Sequence, residues 1–134
     1  MSRFVAIGIG CRKGVPGEAV AALARRALAE CAAPDGERRL FTLAAKAGEP
    51  GLVEAALLIG APLTALPLES LQAEAGRILT PSKPAQSRFG APNVAEAAAL
   101  AGAGAGGRLL GPRLAADGAT CAVAVSGICS ETYP

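Results

Sequence analysis

The chain has 134 residues, of which 51% are hydrophobic and only 3% aromatic, and its formal net charge is +2. So weak a positive charge, with one Tyr and no Trp, argues against nucleic acid as a partner, because such binding uses a basic surface and often stacked aromatic rings. The lack of histidine excludes Ser-His-Asp and Cys-His catalysis and leaves acid–base chemistry to carboxylates, lysine, tyrosine or thiols.

The first half of the chain alternates strands and helices. Residues 4–9 are an apolar run typical of a buried parallel strand, and 10–15 are predicted to form a loop. A helix then begins at Pro16, and its apolar residues recur at steps of three and four as far as Cys31. The later predictions are a turn at 34–36, a strand at 39–43, a loop at 44–48, a helix from Glu49-Pro50 to Gly60, a strand at 62–66 and a short helix at 67–75.

The second half continues this alternation. Residues 80–87 are predicted to be a loop, and Asn93 with Glu96 indicates a capping box on a helix at 94–103. A glycine-rich turn at 102–107 and closing strands at 108–110 and 120–125 follow, with 111–118 between them. We therefore predict one domain, residues 1–134, with a three-layer α/β/α fold and a mainly parallel sheet. A hairpin between the closing strands would make the sheet mixed.

Four cysteines are present, namely Cys11, Cys31, Cys121 and Cys129. They are widely spaced and form no C-x-x-C pair, so no metal site is predicted. The sequence begins without the long apolar run of a signal peptide, and no stretch approaches the length of a membrane span. We expect a cytoplasmic protein with free thiols and no membrane partner.

The first candidate site is the turn Gly8-Ile9-Gly10-Cys11-Arg12-Lys13-Gly14. Glycines let a ligand approach the backbone, amides at a helix start favour an anion, and the two cations add donors for carboxylate or phosphate. The spacing matches neither the dinucleotide fingerprint nor the P-loop, and a tight turn with two solvated cations explains it equally well. Beside these cations the Cys11 thiol is expected to have a lowered pKa, although simple packing is the favoured interpretation of this residue.

Other polar residues lie at later strand–helix junctions. Thr42, Lys46 and Glu49 follow the second strand, at the sheet edge where parallel α/β proteins bind ligands. A helix-dipole role for Glu49 and a surface role for Lys46 are the simpler interpretation. Glu96 is a candidate general base, or it could hold a hydroxyl group of a ligand. Capping of the helix together with Asn93 suffices to explain it. The remaining candidates are Gly90, Arg113 and Thr120.

Four blocks of this sequence resemble the CobE family, which is equivalent to the C-terminal domain of CbiG. They occur in the family's order between residue 5 and about residue 125, and they are residues 8–14, 42–52, 90–100 and 120–124. The resemblance implies a three-layer α/β/α fold and a role in the precorrin steps that lead to the corrin ring of cobalamin. Because the additional domains of CbiG are absent, the chain resembles the stand-alone CobE form of the aerobic pathway.

The resemblance also suggests the class of ligand. Precorrins are flexible amphiphiles fringed with acetate and propionate carboxylates, so the leading hypothesis is a protein that binds a precorrin or corrin intermediate. The alternatives are a hydrolase of the ring-A lactone, the reaction associated with CbiG, and a module that binds other enzymes of the pathway, such as its methyltransferases. No cofactor is expected.

Each hypothesis assigns roles to particular residues. In a hydrolase, Glu49 or Glu96 would act as general base, and Lys46 or the amides of the first loop would stabilise an oxyanion. The expected ligand-binding residues are Gly8, Gly10, Cys11, Arg12, Lys13, Gly14, Thr42, Gly90, Arg113 and Thr120. The chain departs from the family pattern at Val15-Pro16, where a small hydroxylic residue is commoner. It also departs at Arg113, where lysine is usual and where a Schiff-base or proton-transfer role would be altered.

Overall fold

A computed structural model of the chain describes residues 4–79 and 94–126. The strands are β1 (Phe4–Cys11), β2 (Glu37–Leu43), β3 (Leu63–Leu66), β4 (Arg108–Leu109), β5 (Leu114–Ala116) and β6 (Ala119–Val125). The helices are α1 (Gly17–Glu30), α2 (Pro50–Ile59), α3 (Leu68–Gln72) and α4 (Val94–Ala103), with 3-10 turns at Ala44–Lys46 and Ala75–Arg77. No helix in this part of the chain is both long and apolar enough to cross a membrane.

The strands form one mixed sheet. Its order is β3-β2-β1-β6-β4, and β5 pairs with the same strand, β6. The first three strands are parallel to one another, whereas β6 runs antiparallel to β1, with Gly8 opposite Ala122. Both β4 and β5 run antiparallel to β6, and residues 110–113 interrupt this edge between them. The predicted α/β/α architecture and the mixed sheet are confirmed.

The connection predicted at 111–118 contains a strand that the sequence analysis did not identify. Strand β5 joins β6 through Asp117 and Gly118, whose φ angles are 53° and 84°. Positive φ at both central residues of a two-residue connection defines a type I′ turn, and Asp-Gly is among its preferred sequences. The backbone, rather than an apolar run, therefore determines this hairpin.

Helices cover both faces of the sheet. Because successive strand residues point to opposite faces, Ile7 and Ile9 pack towards α1 and α2, whereas Ala6 packs towards α4. The strand β1 is longer than predicted, since Gly10 and Cys11 pair with Thr120 and Ala119 of β6. The loop expected at 10–15 therefore begins at Arg12.

Helix α4 lies against β1 at backbone distance. A Cβ atom at Gly8 would collide with the carbonyl oxygen of Ala95 and would lie 2.5 Å from the amide nitrogen of Ala99. Gly102 belongs to this helix and faces the ring of Phe41, so the turn predicted at 102–107 starts later than expected. The glycines and the alanine-rich face of α4 serve this close contact.

Candidate functional site

The carboxyl ends of the parallel strands define one edge of the sheet, and α1 and α2 begin there. Helix α4 also begins at this edge, since a Cβ atom at Gly10 would lie 3.5 Å from the Val94 side chain. Helix N-termini carry partial positive charge, so this edge favours anions. We call the loops 12–16 and 44–49, together with the turn at 117–118, the rim.

One hydrogen bond joins the first two loops of the rim to each other, and another joins the start of α1 to α2. The Gly14 amide donates to Oε1 of Glu49 at 2.6 Å, and the Gly17 amide donates to Oε1 of Glu54 at 3.0 Å. Pro16, the N-cap residue of α1, has no side-chain acceptor for the first amides of the helix. The Glu54 carboxylate provides an acceptor for one of them, the Gly17 amide. Between the loops lies a shallow cleft of about 440 Å³, lined by residues 14–17, 49–51 and 54.

Two cations of the rim have no protein partner in the described part of the chain. The side chains of Arg12 and Lys13 are exposed and form no hydrogen bond or ion pair with residues 4–79 or 94–126. The Arg12 amide donates to the carbonyl of Gly118 at 2.9 Å, which fixes the first loop against the hairpin turn. Lys46 is half-buried nearby, within electrostatic range of Cys11. The cationic side of the rim therefore faces solvent.

The expected lowered pKa of Cys11 is wrong. The Cys11 side chain is 9% exposed and belongs to the core beneath α1 and α2, rather than to the loop that follows it. Burial raises the pKa of this thiol, the Glu49 carboxylate raises it further, and the Lys46 ammonium opposes both. The packing role that the sequence favoured agrees with this position.

Thiol labelling tests the placement of Cys11. In native protein at pH 8, we expect Cys11 to react with iodoacetamide about tenfold or more slowly than in the urea-unfolded chain, because burial limits both access and thiolate formation. Peptide mass spectrometry reports each cysteine separately, so the unfolded sample is the control. Equal labelling rates in the two states would show that Cys11 lies on the surface.

Three predicted ligand-binding residues are occupied by structural contacts instead. Gly8 is buried under α4, and Thr42 is fully buried with its hydroxyl donating to the Ile9 carbonyl at 2.8 Å. Neither can reach a ligand. Gly10 is part of the ladder with β6, where the Thr120 hydroxyl lies 3.4 Å from the Gly10 carbonyl oxygen. Thr120 is only half-buried and lies at the border of the rim.

Glu96 links separate segments of the chain. It is fully buried, with Oε1 accepting the Leu79 amide at 2.6 Å and Oε2 accepting the Arg113 amide at 2.8 Å. The Arg113 amide lies in the interruption between β4 and β5, where it is not paired with β6. The Glu96 carboxylate therefore accepts the hydrogen bond that β6 does not accept from this amide. A base with no exposed surface and with both oxygens bound to backbone amides is poorly placed for proton transfer to a ligand. The predicted partner Asn93 lies outside the described residues, as does Gly90.

The structure therefore divides the predicted site. Gly14 and Glu49 are in direct contact at the rim, and Arg12, Lys13 and Lys46 lie in the same two loops. The carboxylate of Glu54 was not predicted, because helix periodicity does not show which loop an exposed helix residue reaches. The described residues contain no group of three or more acidic or cysteine side chains arranged to bind a metal ion.

A smaller cavity of about 220 Å³ lies at the opposite end of α1. Its lining includes Cys31, Cys121, Leu110 and Pro112. Burial raises the pKa of Cys121 to about 12, and Cys121 is fully buried, so this thiol stays protonated at neutral pH. The cavity has no exposed cation among the residues that line it and lacks the charge of the rim.

The sheet order, the rim and the strand-terminal cations define a small α/β protein whose polar edge suits an anionic ligand. The family described as cobalamin synthesis G C-terminus matches residues 5–124. The chain belongs to this family, and it is a protein of cobalamin biosynthesis.

Individual relatives agree with this assignment. Protein CobE from Sinorhizobium sp. is 39% identical over 119 residues, which cover 88% of this chain and 77% of the relative. A 1.7 Å crystal structure of CobE, a protein from the cobalamin (vitamin B12) biosynthetic pathway, superposes with a TM-score of 0.82 at 37% identity, covering 93% of this chain and 92% of the other. The cobalamin biosynthesis protein chiG from Agrobacterium tumefaciens gives a TM-score of 0.70 at 35% identity, covering 92% and 99%.

Proposed function

We propose that the rim binds a polycarboxylate tetrapyrrole, a precorrin or corrin intermediate, and holds it between enzymes of the cobalamin pathway. The observation that carries this proposal is the pair of exposed cations, Arg12 and Lys13, which have no partner among the described residues and lie beside an open cleft. The relatives' roles in cobalamin biosynthesis supply the class of ligand.

The chemistry of the rim suits such a ligand. A guanidinium binds a carboxylate with two parallel hydrogen bonds, and an ammonium adds a second, less directional charge. Pro16 and Pro50 are exposed in the lining of the cleft, so the apolar part of a macrocycle would meet an apolar surface there. Cations for the fringe and prolines for the ring match the two parts of an amphiphile.

Binding without catalysis is favoured because one of the two candidate bases is already in use. Glu96 is enclosed by backbone amides, whereas Glu49 is half-buried at the rim. Incubation with precorrin-5 separates the alternatives. A carrier should form a stoichiometric complex and leave the mass of the tetrapyrrole unchanged. A ring-A hydrolase would change that mass.

The double variant Arg12→Ala/Lys13→Ala tests the proposal. We expect it to weaken binding of hydrogenobyrinic acid by about tenfold or more, because two charge-assisted contacts are lost. Isothermal titration calorimetry measures the affinity. The matched control is Arg25→Ala/Arg26→Ala, which removes the same charge from the exposed face of α1. Unchanged affinity in the first variant, or an equal loss in the control, would contradict a binding site at the rim.

A further inference from the structure

An anionic group of the protein itself occupies the rim. The Gly14 amide donates to the Glu49 carboxylate at 2.6 Å, a short, charge-assisted hydrogen bond between residues 35 positions apart. Glu49 is the N-cap residue of α2, yet its side chain forms no capping bond with its own helix. The side chain reaches across to the first loop instead. The carboxylate is only half-buried and therefore remains open to competition from solvent.

The Gly14 amide belongs to an exposed turn, where a ligand carboxylate could replace the Glu49 carboxylate. Gly14 has a φ of +86° and is exposed, and no atom beyond its two chain neighbours lies within 4 Å of the position where its Cβ would stand. A ligand can therefore reach this turn from the solvent side, and its carboxylate would have to take the place of the Glu49 carboxylate on the amide. There it would form the same hydrogen bond that Glu49 forms. The two residues that precede Gly14, Arg12 and Lys13, carry positively charged side chains.

The neighbouring carboxylate contact has a different character. Glu54 accepts the amide of Gly17, the first residue of α1, but Gly17 is buried, and a Cβ atom there would lie 2.5 Å from Cβ of Glu54. The Gly17 amide lies where α1 packs on α2, so a ligand has less access to it than to the exposed Gly14 amide. The N-cap residue of α2 thus bonds an exposed amide, whereas Glu54 within α2 bonds a buried one.

We propose that Glu49 is a built-in competitor, which holds the carboxylate-binding amide of Gly14 in the ligand-free chain and is displaced by a carboxylate of the bound tetrapyrrole. This inference rests on the proposed function of the rim and describes the regulation of that site. Competition reduces the apparent affinity by the fraction of time for which the amide is free; an amide held nine-tenths of the time would weaken binding about tenfold. A carrier with this device would release its cargo readily, because Glu49 re-forms the contact as the ligand leaves.

The variant Glu49→Gln tests this competition. Glutamine has the same length and retains a carbonyl oxygen for the Gly14 amide, but it loses the charge that makes the bond strong. We expect hydrogenobyrinic acid to bind about three- to tenfold more tightly to this variant than to the unaltered chain, as measured by isothermal titration calorimetry. The matched control is Glu18→Gln, an exposed residue in the first turn of α1, which removes the same charge without touching the Gly14 amide. Its affinity should stay within about twofold of the unaltered chain, since an exposed charge contributes little.

A second ligand identifies the group that competes. A corrin of similar size whose carboxylates have been converted to carboxamides should show no gain in affinity for Glu49→Gln, because it offers no anion to the Gly14 amide. An equal gain for both corrins would overturn the inference, as would unchanged or weaker binding of the acid to Glu49→Gln. If Arg12→Ala/Lys13→Ala weakens binding while Glu49→Gln leaves it unchanged, only the competitor fails. If the unaltered chain does not bind the acid at all, the proposed function fails.

Discussion

Replacing Gly8 by alanine is expected to lower the free energy of unfolding by about 3 kcal/mol, at the upper end of the usual cost of overpacking a core. The added Cβ atom would meet the carbonyl oxygen of Ala95 and the amide of Ala99, which are backbone atoms of α4 and cannot move aside singly. The whole helix would have to move away from β1. That movement would also disturb the contact of Gly102 with the Phe41 ring.

Urea denaturation followed by circular dichroism measures this loss. Gly76→Ala is the matched control, because a Cβ atom at Gly76 would have no neighbour within 4 Å and the backbone there does not require glycine. We expect the control to change the free energy of unfolding by less than about 1 kcal/mol. A Gly8→Ala protein as stable as the control would show that α4 does not pack on β1 at backbone distance.

Replacing Glu96 by alanine is expected to destabilise the protein by about 2–4 kcal/mol, because the amides of Leu79 and Arg113 would both lose their acceptor. The carboxylate lies at the meeting point of α4, the end of the segment before residue 80, and the interruption between β4 and β5. Its removal should therefore loosen segments distant in sequence at the same time. Glu96→Gln should be less severe, because its single carbonyl oxygen can still accept one amide.

Hydrogen exchange gives the most specific measurement of this loss. The Leu79 and Arg113 amides should exchange faster in Glu96→Ala, whereas amides of β1 and β2 should keep their order of protection. Glu18→Ala, at an exposed position of α1, is the control for removing a glutamate and should change little. Native exchange at both amides in Glu96→Ala would show that the carboxylate does not stabilise these two segments.

Much of the architecture was readable from the sequence because it depends on local patterns. Apolar runs identified β1 and β2, and the three-and-four spacing of apolar residues identified α1. Strand β5 was not predicted, because a strand of three residues has almost no periodic pattern. The Asp117-Gly118 pair, however, indicates a type I′ hairpin. Gly102 was predicted both as part of the helix at 94–103 and as the first residue of the turn at 102–107; it lies in the helix, where it faces the ring of Phe41.

The site was less predictable, since its contacts are long-range. The pattern around Glu96 predicts a local cap, but its described partners lie 17 residues away on either side. Cys11 was expected to respond to Arg12 and Lys13, but the extra length of β1 directs its side chain into the core. By contrast, the loops after β1 and β2 lie beside each other, with the Gly14 amide bonded to Glu49, because parallel strands end at the same edge of the sheet.

Amide chemical-shift mapping with hydrogenobyrinic acid tests most directly whether the strand-terminal edge is the receptor. We predict saturable chemical-shift changes concentrated at residues 12–14 and 46–49. The change at the Gly14 amide should be among the largest, because this amide exchanges one carboxylate partner for another. Residues lining the cavity near Cys31 and Leu110 should remain unchanged. Saturable shifts centred on that cavity, with the Gly14 amide unmoved, would contradict it.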